Sequence, residues 1–140
     1  MAFPSPESAE AAFYGAFAAA DTEAMMHVWA DLPDILCVHP LGGVLVGAPA
    51  IRASWDELFA DPFRRNFVVE LAASHHGAEF ASRTVYESIL IPASGQRFSP
   101  MLATNVYRLV DGGWRMVVHH ASPAGEPLAT LRGPGPATRH

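Results

Sequence analysis

The chain has 140 residues, of which half are apolar and only 16% are charged, as expected for one globular domain and not for a disordered chain. Its formal net charge is −5, its nine basic residues are all arginine, and no basic run occurs, so neither nucleic acid nor a membrane surface is an expected partner. The absence of lysine excludes Schiff-base chemistry on a lysine side chain. A lone cysteine, a start without signal-peptide character and the lack of long apolar runs predict a cytoplasmic protein.

The first 60 residues predict three helices and two short strands. The tripeptide Ser5-Pro6-Glu7 is a helix start signal, and apolar residues follow it at helical spacing. Asp21 is placed to end this first helix and to cap a second one. The segments ILCVH at 35–39 and VLV at 44–46 are typical of short strands, and Gly47-Ala48-Pro49 opens a third helix.

Everything after Pro62, which ends the third helix, reads as strand, in segments 66–75, 79–91, 97–110 and 114–122. The short turn sequences HHG, PASG and DGG between them join antiparallel neighbours. Helices followed by antiparallel strands predict an α+β domain in which three helices pack on one face of a strongly curved, mostly antiparallel sheet, making a cone around a cavity. We expect residues 1–123 to form this single domain and residues 124–140 to be a loosely ordered tail.

The last strand carries two adjacent histidines whose side chains must point to opposite faces. If Gly112-Gly113 is the two-residue hairpin loop, Asn105 lies opposite His120, and His119 faces outward. The two histidines therefore cannot act as one site. The inner face of this strand is then expected to carry Trp114, Met116, Val118, His120 and Ser122.

The same register places Glu87 near Met101 on the inner face, so that Glu87, Asn105 and His120 converge in an otherwise apolar hollow. Desolvation there would raise the pKa of the Glu87 carboxyl towards the range of a general acid or base. Asn105 could orient a carbonyl group, and His120 could shuttle a proton. The alternative interpretation is that Asn105 and His120 satisfy each other across the strands while Glu87 pairs with an arginine.

Tyr14 lies one residue off the apolar stripe of the first helix, either with its hydroxyl at the cavity mouth or as a core residue with a solvated tip. No cofactor and no metal are predicted, because HExxH and CxxC motifs are absent and adjacent strand histidines cannot chelate one ion. The one metal site that the sequence still allows would consist of His39, Glu87 and His120. The remaining residues expected to line the pocket are Trp29, His39, Trp55, Phe59, Met101, Ala103, Tyr107, Trp114 and Ser122.

Three segments together resemble the NTF2-like superfamily, and within it the SnoaL-like branch: AAFYGAFAAADTEAMMHVWADLPDILCVHP, GAPAIRASWDELF and ATNVYRLVDGGWRMVVHHASP. They cover most of residues 7–123, and the most specific element is the final hairpin, where Trp114, His120 and Ser122 follow a DG turn in the pattern WxxxxxHxS. The resemblance implies a cone-shaped, cystatin-like fold, a deep pocket for a small molecule and a homodimer through the outer sheet face. That face is expected to carry Thr104, Val106, Arg108, Arg115, Val117 and His119.

The superfamily includes isomerases, polyketide cyclases, dehydratases and proteins without catalysis, and the fold does not choose between them. Tyr14 matches the first-helix tyrosine of ketosteroid isomerase, but the acidic late-strand partner of that enzyme has no match at Met101 or Asn105. We expect a pocket protein for a small, largely apolar ligand with a carbonyl or hydroxyl group. Proton transfer of the isomerase, cyclase or dehydratase type would use Glu87 or His120 as base, with Asn105 and Tyr14 stabilising an oxyanion. The alternative is a non-catalytic dimeric binding or association module.

Overall fold

The computed structural model describes residues 2–61, 66–91, 96–97 and 100–125. Pro62, the PASG turn at 92–95 and the tail from 126 onward lie outside the described residues. The predicted α+β class is confirmed. In chain order the elements are α1 (Pro6–Ala19), α2 (Thr22–Val28), β1 (Leu36–Val38), β2 (Leu45–Val46), α3 (Ala48–Phe59), β3 (Asn66–His76), β4 (Phe80–Ile91), β5 (Gln96–Arg97), β6 (Met101–Val110) and β7 (Gly113–Pro123).

The first two helices begin at the residues that the sequence predicts. The hydroxyl of Ser5 accepts a hydrogen bond from the Ser8 amide at 3.0 Å, and the Ser8 hydroxyl accepts one from the Ser5 amide at 3.1 Å, which completes a capping box. Asp21 caps α2 by accepting a hydrogen bond from the Ala24 amide at 3.0 Å. These caps satisfy amides that a helix start leaves unpaired. None of the helices in the described ranges has the length and apolar character of a membrane span.

The sheet has the strand order β2-β1-β7-β6-β4-β3, and β5 pairs with β4. The β1–β7 pair is parallel, whereas the other strand pairs are antiparallel. Glu87 of β4 lies opposite Met101 of β6, as the sequence predicts. One core joins the helices to the inner sheet face, and its fully buried large side chains include Phe13, Met25, Ile51, Trp55, Val85, Tyr107 and Met116.

The hairpin between β6 and β7 turns one residue earlier than predicted. Val110 pairs with Gly113, so the two-residue loop is Asp111-Gly112. Both loop residues have positive φ, 51° at Asp111 and 81° at Gly112, as a type I′ hairpin turn requires. Glycine adopts this backbone region without steric cost and aspartate tolerates it, which explains why the DG pair forms the turn.

A β-bulge interrupts β7 at Val117. Near the turn Tyr107 pairs with Met116, but the next pair is Val106 with Val118, so Val117 is one residue in excess on β7. Side chains alternate between the two faces of a strand, and one extra residue therefore exchanges the two faces beyond it. Met116, which precedes the bulge, and His119, the second residue after Val117, both face the core.

The exchange of faces corrects the predicted positions of both histidines. Asn105 lies opposite His119, and His119 is only 1% exposed on the inner side. His120 and Ser122 are exposed on the outer face, where they border a shallow groove. The predictions that His120 and Ser122 face the cavity, and that His119 faces outward, are wrong because the bulge shifts the alternation by one residue.

Two further members of the predicted outer set are engaged within the chain. Val117 packs against the core, and Arg115 donates a hydrogen bond to the carbonyl oxygen of His27 at 2.7 Å while its guanidinium lies over the ring of Phe3. What remains of the predicted outer set is half-buried and consists of Thr104, Val106 and Arg108.

Candidate functional site

A cavity of about 680 Å³ opens between the helices and the inner face of the sheet. This volume lies in the range of small-molecule binding sites. The apolar part of the wall consists of Phe17, Pro40, Leu58, Phe67, Ile89, Met101 and Ala121. The polar part consists of His39, Ser54, Glu57, Asp61, Glu87 and His119.

Glu87 is a buried carboxyl group in this wall, with only 5% of its surface exposed. The hydroxyl of Tyr14 donates a hydrogen bond to its Oε2 atom. Burial raises the pKa of Glu87 to about 7, although the Tyr14 hydrogen bond opposes the rise and the nearby Glu10 carboxyl adds to it. Arg83, which could have neutralised Glu87, instead donates a hydrogen bond to Glu10 at 2.6 Å. The rise in pKa agrees with the sequence-based expectation for this carboxyl.

Behind the cavity wall, Glu87 begins a chain of hydrogen-bonded side chains that we call the buried relay: Glu87, Tyr14, Asn105 and His119. The Nδ2 atom of Asn105 donates to the Tyr14 hydroxyl at 3.1 Å, and the Oδ1 atom of Asn105 lies 2.6 Å from Nδ1 of His119. Glu87 and His119 line the cavity, whereas Tyr14 and Asn105 are buried behind it. Oxyanion stabilisation by Tyr14 and Asn105 therefore has no support from their positions, and their contacts indicate a positioning role.

Every hydrogen bond of the buried relay is donated in the direction of Glu87. Tyr14 has one hydroxyl hydrogen, which goes to Glu87, so its oxygen accepts the bond from Asn105. The amide oxygen of Asn105 must then accept from His119, whose proton is consequently at Nδ1. Burial lowers the pKa of His119 to about 3, with the charges of His39 and His120 adding to the effect. At neutral pH this ring is uncharged, and its Nε2 carries no proton.

His39 is fixed in the opposite tautomer. Its Nε2 lies 3.0 Å from the hydroxyl oxygen of Ser54, and Ser54 donates its own hydrogen to the carbonyl oxygen of Ile51 at 2.7 Å. Nε2 of His39 must therefore be the donor, which leaves Nδ1 without a proton. Burial also lowers the pKa of His39. The neighbouring Cys37 has its pKa raised to about 12 by burial, so it is a thiol and not a nucleophilic thiolate.

Most of the aromatic residues predicted to line the pocket are core residues. The ring of Trp55, for example, makes edge contacts with Phe13, Phe17 and His39 and is fully buried. Of the predicted pocket residues, His39 and Met101 line the cavity together with Glu87. Those that are buried in the core outside its lining are Trp29, Trp55, Phe59, Ala103, Tyr107 and Trp114.

His119 is the most important residue that sequence reasoning missed. The DG pair indicates the turn correctly, but nothing in VVHH marks the bulge that brings His119 inside. The metal site left open from His39, Glu87 and His120 fails because His120 lies on the opposite sheet face. Within the described ranges, no three histidine, cysteine or acidic side chains are grouped so that they could hold a metal ion.

Fold and cavity together define an α+β protein with a largely apolar pocket between three helices and a curved sheet. Residues 7–126 match the SnoaL-like domain family, and the chain belongs to that family. Its similarity to NTF2-like proteins of known structure confirms the resemblance that the sequence segments indicated.

Three solved structures illustrate this similarity. A protein described as a calcium/calmodulin-dependent protein kinase type II association domain, from Thiobacillus denitrificans, is 41% identical, with a TM-score of 0.85 over 89% of this chain and 98% of that one. A protein described as a dehydratase of the NTF2-like family, from Streptomyces avermitilis, is 29% identical, with a TM-score of 0.72 over 84% and 92% of the two chains. An NTF2-like protein of unknown function from Pseudomonas putida, 20% identical with a TM-score of 0.70 over 95% and 93%, supports the fold alone.

Among curated proteins, the F-box protein SKIP8 of Arabidopsis thaliana is 26% identical over 100 residues. The match includes 71% of this chain but only 41% of the plant protein. It therefore concerns a part of that protein about the size of one domain.

Proposed function

We propose that this protein binds a small, largely apolar ligand in the cavity and that Glu87 exchanges a proton with it. The observation that carries the proposal is a buried carboxyl with a pKa of about 7 in the wall of a mostly apolar cavity. Such a carboxyl is close to half ionised at neutral pH, so it can both accept and return a proton. Tyr14 holds the carboxylate in one orientation through its hydrogen bond.

Isomerisation, cyclisation and dehydration share the proton transfer that this site could supply. The 29% identity to a protein described as a dehydratase supports this class of reaction. His119 is a weak candidate for the base, because its pKa of about 3 makes it a poor proton acceptor near neutrality. His120, the other base that the sequence suggested, lies outside the cavity. Glu87 therefore has the catalytic role in this proposal, with Tyr14 and Asn105 as positioning residues.

The test begins with native mass spectrometry of the purified protein, which identifies any small molecule that remains bound. Turnover of that molecule is then measured for the wild type, Glu87→Gln and the control Glu70→Gln. Glu70 is exposed on β3 and lies outside the cavity lining and the buried relay, so its variant is expected to retain turnover. We expect Glu87→Gln to lose turnover by at least about a hundredfold, the usual contribution of a general base. Equal turnover in wild type and Glu87→Gln would eliminate the catalytic assignment.

A second candidate function is self-association through the outer sheet face, as a non-catalytic module. It is favoured by the 41% identity to a protein described as an association domain. The outer face also leaves Phe80 53% exposed, with the Arg108 guanidinium 5.5 Å from its ring centre. Exposed aromatic and arginine side chains are enriched at protein interfaces.

The oligomeric state of two variants tests this second function. Val106→Arg places a charge on the outer face, whereas Leu41→Arg changes an exposed residue in the turn between β1 and β2. We expect native mass spectrometry to show a dimer for the wild type and Leu41→Arg and a monomer for Val106→Arg. A monomeric wild type, or a dimer that Val106→Arg leaves intact, contradicts the proposed interface.

A further inference from the structure

We propose that, when Glu87 is ionised, the cavity selects ligands whose polar group is a hydroxyl, and discriminates against ketones and carboxylates of the same shape. The inference rests on the proposed function, because it names the class of ligand that the same cavity accepts. The selection follows from the direction of the hydrogen bonds around the cavity. The neutral polar side chains of the described lining donate their hydrogens to other protein atoms, so none is left for a ligand.

The two ends of the buried relay, Glu87 and His119, both line the cavity. Glu87 receives the Tyr14 hydrogen and, as a carboxylate, has only lone pairs to offer a ligand. His119 spends its Nδ1 hydrogen on Asn105, so the ring has only the unprotonated Nε2 left. Both ends of the relay therefore present hydrogen-bond acceptors to the cavity.

His39 and Ser54 lie beside the His119 end of the relay, with the ring centres of His39 and His119 6.4 Å apart. His39 spends its Nε2 hydrogen on Ser54, and Ser54 spends its hydroxyl hydrogen on the Ile51 carbonyl. Nδ1 of His39 is left as an acceptor, as is a lone pair of Ser54. The neutral polar side chains of the described lining are thus all hydrogen-bond acceptors.

The charged residues in the described lining are acids. No arginine is among the described lining residues, and the chain has no lysine. Arg83 is bound by Glu10 at 2.6 Å and by Glu7 at 3.4 Å, outside the lining. The carboxyl groups of Glu57 and Glu87, which do line the cavity, repel an anionic ligand when they are ionised.

The acceptors and acidic groups of the lining favour a hydroxyl over a ketone or a carboxylate. A hydroxyl donates to the acceptors of the wall. A ketone, when Glu87 is ionised, finds no donor among the described lining side chains and buries its oxygen unpaired, which is unfavourable. A carboxylate meets like charges in the lining. The aromatic rings of Phe17 and Phe67 in the wall suit an apolar ligand body.

The test compares three probes with one phenyl body: 1-phenylethanol, acetophenone and benzoate. Their binding to the full chain is measured by isothermal titration calorimetry at pH 8, where Glu87 is mostly ionised. We expect 1-phenylethanol to bind about tenfold more tightly than acetophenone, the value of roughly one hydrogen bond, and benzoate to bind most weakly. Acetophenone or benzoate binding as tightly as the alcohol overturns the proposed selection while leaving the cavity as a binding site. If none of the three binds at millimolar concentration, both this inference and the proposed ligand-binding function are wrong.

A matched pair of variants tests the stated cause. In Glu87→Gln the amide oxygen can still accept the Tyr14 hydrogen, while the amide NH₂ group gives the cavity a donor. We therefore expect this variant to lose most of the tenfold preference for the alcohol by gaining affinity for acetophenone. Glu70→Gln, an exposed position on β3 outside the cavity lining, is expected to keep the preference. An unchanged preference in Glu87→Gln would show that the direction of the relay does not govern selection.

Discussion

Asn105 and His119 face each other across β6 and β7, and Nδ1 of His119 donates to the amide oxygen of Asn105 over 2.6 Å. The amide nitrogen of Asn105 donates to Tyr14, and Tyr14 donates to Glu87, so this contact completes a chain of four side chains whose hydrogen bonds are all donated towards Glu87. Two of the four, Tyr14 and Asn105, do not touch the cavity. They nevertheless determine what Glu87 and His119 can offer to a ligand.

The two inner histidines are expected to be opposite tautomers. We predict that ¹⁵N NMR will find the proton of His119 on Nδ1 and that of His39 on Nε2. His119 should stay neutral down to about pH 3, because burial disfavours its charged form. A His119 ring that is protonated on Nε2, or that gains its second proton near pH 6.5, would contradict the hydrogen-bond direction of the buried relay.

Stability should fall as Glu87 ionises. Its folded-state pKa, about 7, is above the unfolded value of 4.5, so its contribution to stability is fully present below pH 4.5 and is lost as pH rises through 7. A shift of this size corresponds to about 3 kcal/mol. We predict that Glu87→Gln removes this loss, which makes the variant more stable than wild type at pH 8 by up to about 3 kcal/mol. Urea unfolding at pH 4.5 and pH 8 measures the difference.

Glu57→Gln is the control for that experiment, because Glu57 is an exposed acid of the same cavity. Its free energy of unfolding should follow pH as the wild-type value does. If Glu87→Gln and wild type lose the same stability between pH 4.5 and pH 8, the raised pKa is wrong.

Replacing Asn105 is expected to lower the free energy of unfolding more than replacing its neighbour Thr104. Asn105→Leu leaves the buried His119 N–H and the Tyr14 hydroxyl without one partner each, which should cost about 3 kcal/mol in the free energy of unfolding. Thr104→Val removes only a 3.0 Å bond to Thr84 on the half-buried outer face and should cost about 1 kcal/mol. Chemical denaturation of both variants tests this order, and equal costs would contradict a structural role for the buried relay.

Deleting Val117 should preserve the position of His119. Val117 is the extra residue of the bulge, so its removal leaves Met116 and His119 on the inner face with regular alternation between them. We predict a folded protein that is less stable by about 1–2 kcal/mol, because a partly buried valine is lost. The ¹⁵N signals of His119 in the deletion variant provide the measurement. A His119 that titrates like a solvent-exposed histidine would show that the bulge itself is required.

The elements that can be predicted from sequence are those with local signals. Ser5 and Asp21 mark the helix starts because their side chains cap the adjacent amides, and the alternation along β4 places Glu87 on the inner face. The same alternation rule assigns His120 to the cavity. This assignment fails because β7 contains one extra residue at the bulge. The bulge depends on how β7 curves against its neighbours β1 and β6. The valine at position 117 is an ordinary strand residue and does not indicate a bulge.

The aromatic residues show a second limit of the sequence. Periodicity places Trp55 and Tyr107 at the cavity, but large rings on an inner face can either line a pocket or fill a core. Both fill the core, with no exposed surface. Which of the two roles a ring takes depends on how far the helices lie from the sheet at that point. Helical or strand periodicity does not predict this distance.

Val117 also affects how a function is transferred between members of the family. A relative without the extra residue reaches the equivalent cavity position one residue sooner after its hairpin. In a gap-free alignment anchored on that turn, its inward histidine would fall in the column of Val118, an outer-face residue in this chain. Catalytic assignments copied column by column would then name a residue on the wrong side of the sheet, so the gap has to be placed at the bulge before any residue in this strand is compared.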